Sequence, residues 1–383
     1  MHPFRLVLNR NHGTPGIVAL PDSGYRRARA EITSWPGYAP TPLRQLQYPG
    51  LATVHYKDEG GRFGLGSFKA LGGAYAVLRV LVAELAKRGV APNATGAALE
   101  GGAYRDAAQQ ITVTCATDGN HGRSVAWGAQ RFGARCVIFV HQHVSQGRRD
   151  AIARYGAEIR EVAGNYDDSV RAAQETAEAE GWFVISDTSY PGYTEPPRDV
   201  MQGYRLMAEE ALAALPAPPT HVFVPGGVGG VAAAVATQLR SMCGTEPRLV
   251  IAEPDRAACL TDSLDAGRLT TVGGNLDTVM AGLACGEPSL LAWQELERSA
   301  FASMALSDDA VPGAMRALAA QGIEAGESAV AGLIALDCAW PDAAARAALG
   351  LSEKSRVLIF GTEGATDPAL YAQIVGLKSP SRD

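Results

Sequence analysis

A chain of 383 residues is long enough for two ordinary domains, and 47% hydrophobic with 19% charged residues is the make-up of a globular protein with a sizeable core, not of a disordered or fibrous one. Forty acidic against thirty-four basic residues give a formal charge of −6, with no Lys/Arg block to neutralise a run of phosphates, so nucleic acid is not an expected partner. Nowhere do about eighteen apolar residues run together, and the opening "MHPFRLVLNRNHGTPG" lacks the apolar core of a signal peptide; the expectations are no membrane partner and a cytoplasmic location.

The opening section, with "SWPGYAPTPLRQL", is rich in turns and reads as having no sheet of its own. Next, "FGLGSFKALGGAYAV" (63–77) reads as a loop ending at Ser67, a candidate N-cap, followed by a helix with Lys69 in its first turn. A cation there opposes the positive end of the helix dipole. Its sequence neighbours Phe68, Ala70, Leu71, Gly72, Gly73 and Ala74 offer no carboxylate, which points to an amine pushed towards its neutral, nucleophilic form. A half-buried lysine whose stem lies on apolar surface is the plain alternative.

The text "ITVTCATDGNHGRSVAWGA" is a strand, a polar turn and a helix. It gathers Thr117, Asp118, Gly119, Asn120 and His121 at the carboxyl edge of a sheet, where α/β folds bind ligands. Asp118 as a helix cap and His121 as a helix-start histidine stay open as simpler roles. "CVIFVH", "EIREVA" and "WFVISDT" complete one small parallel sheet, with helices over His121–Phe132, Gly147–Tyr155 and Asp167–Glu180 between the strands. Prolines from Pro191 to Pro197 mark a crossing between domains.

A second set of strands follows in "HVFVPGG", "RLVIAEP" and "RVLIFGTEG", with a helix over Val231–Met242. Gly226, Gly227, Gly229 and Gly230 let backbone amides close on an anion at a helix N-terminus, a phosphate cradle. The same text satisfies G-x-G-x-x-A through Gly227, Gly229 and Ala232, with Glu253 where a dinucleotide enzyme holds a ribose, and spacing does not choose between the two. The six cysteines show no CxxC spacing, so no metal site is expected; Cys259 and Cys285 lie in loop-like text and could meet, but a cytosolic setting argues for thiols. The fold class is α/β, with open, mostly parallel sheets covered by helices.

Together, the lysine in S-F-K, the G-N-H-G asparagine loop, the P-G-G-x-G-G turn and the "TPL" of Thr41 to Leu43 resemble the fold-type II pyridoxal phosphate enzymes, the tryptophan synthase β and threonine dehydratase group. Within that group "PGYAPTPL", "RFGLGSFKALGGAYA", "ATDGNHGRSVAWGA", "MAGLACGEPS" and "GTEGATDP" most resemble the diaminopropionate ammonia-lyases. The resemblance implies a large cofactor-binding domain from residues 1–73 and 193–383, a smaller mobile domain of 74–192, and a homodimer.

It implies further that Lys69 holds the cofactor aldehyde as an imine, that Asn120 bonds the ring hydroxyl, that the four glycines hold the phosphate and that Thr362 stands beside the ring nitrogen. Substrate would meet Thr117, Asp118, His121 and Asp187. The implied reaction is an α,β-elimination of 2,3-diaminopropionate to pyruvate and ammonia. Lys69 serves as base for one enantiomer, and Asp118, where the group's dehydratases usually carry serine, for the other. Asp187 at the end of "WFVISD" either attracts the β-ammonium or merely forms the strand-end turn. A serine or threonine dehydratase, a β-replacement enzyme, a nicotinamide oxidoreductase using "GGVGGVA" and a catalytically silent binding relative are the competing readings.

Overall fold

The computed structural model describes residues 2–117 and 119–376; Asp118, one of the candidate catalytic residues, lies outside the described residues. Among the described residues the strands are β1 (Phe4–Leu8), β2 (Leu43–Leu46), β3 (Thr53–Asp58), β4 (Thr112–Ala116), β5 (Arg135–His141), β6 (Glu158–Val162), β7 (Phe183–Val184), β8 (His221–Pro225), β9 (Arg248–Pro254), β10 (Ala302–Leu306) and β11 (Arg356–Gly361). They form two sheets, one in each of two compact units. The first unit comprises the chain up to Pro21, Ala39–Phe68 and everything from Tyr204 onward; the second comprises Asp22–Tyr38 and Lys69–Gly203.

The sheet of the first unit has the order β1-β10-β9-β8-β11-β3-β2. Its interior pairs are all parallel, and only β1 and β2 at the edges run antiparallel. β8 and β10 are buried along their whole length, and β9 and β11 at every position after the first, as a sheet covered on both faces demands. The helix Ala331–Ala339 lies so close to the sheet that a Cβ at Gly332 would stand 2.9 Å from Ile359 Cγ2 and 3.2 Å from the Phe223 carbonyl oxygen.

The opening section contributes β1, β2 and β3 to this sheet, which corrects the turn-rich reading of that text. β3, "TVHYKD", looks too polar for an interior strand, yet Lys57 is 1% exposed. Its ammonium donates to the Thr41 carbonyl at 2.8 Å and to Glu210 at 2.6 Å. Arg62, equally buried, donates to Glu59 at 2.8 Å and Glu210 at 2.7 Å. Compensated charge can therefore be interior, and a hydropathy pattern does not show the partner. Replacing Glu210 by alanine leaves two buried cations short of a counter-charge and is expected to cost about 3–5 kcal/mol, read as a lowered urea midpoint. β10, "ASMAL", went unread because its small residues look helical.

In the second unit β6-β5-β4-β7 is wholly parallel, as expected. β7 is only two residues long, shorter than "WFVISDT" suggests. The Tyr193 hydroxyl explains the early end: it donates to the Val184 carbonyl at 2.8 Å and accepts from the Ser186 amide at 3.0 Å, taking over bonds a ladder would supply. Two helices of this unit, Lys69–Lys87 and Asn120–Phe132, meet at van der Waals range through small residues. A Cβ at Gly128 would lie 2.6 Å from Ala74 Cα, and one at Gly73 would lie 2.4 Å from Ser124 Oγ. Ser124 Oγ accepts from the Ala74 amide at 3.1 Å and donates to the Lys69 carbonyl at 2.6 Å, fixing the first turn of one helix against the other. Among the described residues no helix is long and apolar enough to cross a membrane.

Candidate active site

Lys69 is the first residue of its helix, and Ser67 stands two positions earlier in a bridge with Glu363. The expectation of carboxylate-free surroundings is overturned: the Lys69 ammonium donates to Asp187 Oδ2. The two are 118 positions apart, and Asp187 reaches this place from the end of β7, which pairs with β4 beside it. Burial alone would raise the Asp187 carboxyl; Lys69 first, then His121, outweigh burial and hold it well below the ordinary carboxylate range.

Asn120 and His121 open the second helix of the pair. His121 Nε2 lies 2.7 Å from the Ile185 carbonyl, which can only accept, so this nitrogen carries the hydrogen. The other ring nitrogen, Nδ1, is buried with no hydrogen-bond partner among the described residues, and lies 3.9 Å from Asp187 Oδ2. Burial pushes the imidazole below its ordinary range, Asp187 opposing and Lys69 reinforcing that. Thr117, expected to face substrate, has its hydroxyl committed to the turn, accepting from the amides of Gly119 at 3.0 Å and Gly122 at 3.1 Å. It thus does the capping that Ser, Thr, Asp and Asn do at helix starts.

In the first unit the glycine turn follows β8 and opens the helix Gly230–Cys243 without a side-chain cap. Gly227 and Gly229 adopt φ of +62° and +94°, which other residues rarely take. A Cβ at Gly226 would stand 2.6 Å from Glu253 Cγ and one at Gly229 would stand 3.0 Å from Ala292 Cβ, so these two positions admit only bare backbone. Glu253 is fully buried and accepts from the Leu260 amide at 3.1 Å and from the Thr261 amide and hydroxyl at 2.7 Å each. Burial pushes its carboxyl up to about 7 against the pull of those bonds. A carboxylate so occupied is closed to a ribose, which removes the basis of the dinucleotide reading. Cys259 and Cys285 both lie near this turn and are not joined by a disulfide; Cys259 Sγ lies 3.6 Å from the Gly227 carbonyl and a Cβ at Gly227 would be 3.9 Å from Cys285 Sγ. Thr362, just past β11, is buried, and its carbonyl accepts from the Phe68 amide at 3.1 Å.

Residues 34–363 match the family model described as "Pyridoxal-phosphate dependent enzyme". The chain belongs to that family. Its cofactor is therefore pyridoxal phosphate, and the nicotinamide reading is set aside. Within the pyridoxal-phosphate dependent enzymes, the chain is 37% identical over 362 residues to a diaminopropionate ammonia-lyase of Salmonella typhimurium, covering 89% of each chain. The solved diaminopropionate ammonia-lyase of Escherichia coli in complex with D-serine is similar at a TM-score of 0.89 and 33% identity, over 98% of this chain and 97% of that one. The same enzyme in complex with an aminoacrylate-PLP azomethine reaction intermediate matches at a TM-score of 0.87 and 33% identity, over the same 98% and 97%. The resemblance read from the sequence, to fold-type II enzymes and to the ammonia-lyases among them, is thereby borne out.

The residues present fit the cofactor. In the second unit a primary amine opens a helix; in the first, Gly226 and Gly229 leave no room for a side chain, Gly227 and Gly229 take positive φ, and a buried hydroxyl-bearing residue, Thr362, follows β11. Sequence reasoning placed every one of these but missed the Lys69–Asp187 pair and Ser124. The only textual hint of the latter was a serine four residues after Asn120, one helical turn on from the polar cluster.

Proposed function

We propose that the chain catalyses the α,β-elimination of 2,3-diaminopropionate, in D and L forms, to pyruvate and ammonia. The observation that carries this reading is the lysine amine at a helix start paired with a half-buried carboxylate, in a chain 37% identical to a diaminopropionate ammonia-lyase. Pyridoxal phosphate, when bound, supplies an electron sink for the pair left on the α-carbon. Lys69 Nζ attaches the cofactor through its aldehyde carbon. The amides of Gly226, Gly227, Gly229 and Gly230 bind the phosphate, with the positive end of the helix dipole behind them. Asn120 holds the ring hydroxyl through its side-chain amide. Thr362 would offer the ring nitrogen a hydroxyl, a neutral partner that would not keep the nitrogen charged.

Lys69 Nζ removes the α-proton on one face of the substrate and Asp118 on the other, which lets one site process both enantiomers. Asp187 pairs with the β-ammonium, the group that leaves as ammonia. Substituting Asp187 by alanine is expected to lower the preference for diaminopropionate over serine by about 10- to 100-fold in kcat/KM, the equivalent of one charge-assisted hydrogen bond. An unchanged ratio removes Asp187 from this role.

The second reading, a dehydratase acting on serine, is favoured by one observation, the D-serine complex of the similar E. coli enzyme. Assays of ammonia and pyruvate from D- and L-diaminopropionate against D- and L-serine separate the two. Two ammonia per pyruvate, faster from diaminopropionate of both hands, supports the first; turnover of serine alone supports the second.

A further inference from the structure

We infer that His121 is the reserve cation of Asp187: Nδ1 takes a proton when the Lys69 ammonium is withdrawn, and yields it when a substrate β-ammonium takes that place. Asp187 carries its charge on a side chain only 15% exposed. Asp187 Oδ2 is met by Lys69 Nζ from the helix Lys69–Lys87 and by His121 Nδ1, 3.9 Å away, from the helix Asn120–Phe132. Tyr193 and Cys115 also feel Asp187. Burial pushes both up, away from ionisation, and neither can carry a positive charge in any case.

Lys69 has two incompatible duties. As drawn it neutralises Asp187; covalently engaged with a cofactor, its amine is no longer an independent ammonium at that oxygen. A buried carboxylate left alone is costly, and the remedy within reach is a proton on a neighbouring base. His121 is built for that. Its Nε2–H is fixed on the Ile185 carbonyl at 2.7 Å, so the ring keeps its orientation, and Nδ1, with no hydrogen-bond partner among the described residues, lies 3.9 Å from Asp187 Oδ2. Burial is the largest influence and keeps the ring neutral, Lys69 adds to it, and Asp187 with the Ile185 carbonyl opposes it; removing the lysine charge leaves burial alone against the carboxylate's pull at 3.9 Å.

The consequence for specificity rests on the reading of Asp187 given under the proposed function. A substrate bearing a β-ammonium restores the missing charge at Oδ2, and the proton on Nδ1 departs to solvent. A β-hydroxyl brings no charge, so with serine the imidazolium persists. His121 would then distinguish the substrate classes by one proton.

The test is nitrogen-15 NMR of the histidine rings in the full-length chain at pH 7.5. Without cofactor, His121 in the wild-type chain is expected in the neutral, Nε2-protonated form; in Lys69→Ala it is expected as imidazolium, and in Lys69→Ala/Asp187→Asn as neutral again. Should Lys69→Ala fail to fold, Lys69→Met keeps the stem and carries the same expectation. A neutral ring in the single variant, or an imidazolium that survives the Asp187→Asn change, overturns the inference. These arms need no cofactor, so they stand or fall apart from the proposed reaction. In the Lys69→Ala chain supplied with pyridoxal phosphate, D-diaminopropionate is expected to return the ring to neutral and D-serine to leave it charged. Identical spectra with the two amino acids refute the exchange with substrate.

Discussion

Substituting Lys69 by alanine is expected to reduce kcat/KM for both enantiomers of diaminopropionate by about a thousandfold or more, since one change removes the nucleophile that carries the cofactor and a proton-transfer group. The loss should fall on both hands because cofactor attachment precedes the choice of face. Structural damage is not the expected cause. The backbone of residue 69 is held independently of its side chain, by Ser124 Oγ on its carbonyl at 2.6 Å. The side chain's own partner, Asp187, is the group that suffers. The measurement is steady-state release of pyruvate together with circular dichroism to confirm a folded chain. A Lys69→Ala protein that turns over diaminopropionate within tenfold of wild type, on the order of 1.4 kcal/mol, would contradict the assignment.

The second large effect concerns Asp118. Conversion to asparagine keeps size and hydrogen bonding but withdraws the base, so turnover of one enantiomer, expected to be D, should fall by about 10²–10⁴, the usual worth of general base catalysis. The L-enantiomer, served by Lys69 on the opposite face, should change far less. Selective loss is the signature to look for, because a general disturbance of the site lowers both. Equal losses for D and L would reject Asp118 as the second base. Asp118→Ser, which restores the residue usual in the group's dehydratases, is expected to give the same one-handed loss.

The residues differ in how far they were legible from sequence. Motifs whose parts are consecutive could be read directly: Gly226, Gly227 and Gly229 need φ or space that only glycine supplies, and a strand followed by a helix fixes where that turn must lie. The helix ending at Phe132 and the mainly apolar strands β8, β9 and β11 follow from hydropathy pattern alone. What failed were pairings across the fold. Lys57 made β3 look like surface text because Glu210, its counter-charge, is 153 positions away. Lys69 looked unpartnered for the same reason. β7 looked longer than it is, because a tyrosine hydroxyl nine residues on replaces its ladder. In each case local text reported the residue's own preference, and a distant residue reversed its cost.

Glu253 is a related case with the opposite sign. Its spacing after the glycine turn imitates a ribose-binding acid, but three donors of Leu260 and Thr261 occupy it, holding the start of the helix Cys259–Ala266 under the turn. An acid at a motif position is evidence of a ligand only when its oxygens are free to meet one.

Borohydride reduction of the protein supplied with pyridoxal phosphate, followed by peptide mass spectrometry, addresses the central claim most directly. The expected result is bleaching of the visible absorption band and a single reduced pyridoxyl-phosphate adduct on Lys69. An adduct on another lysine, or none at all, would contradict the account.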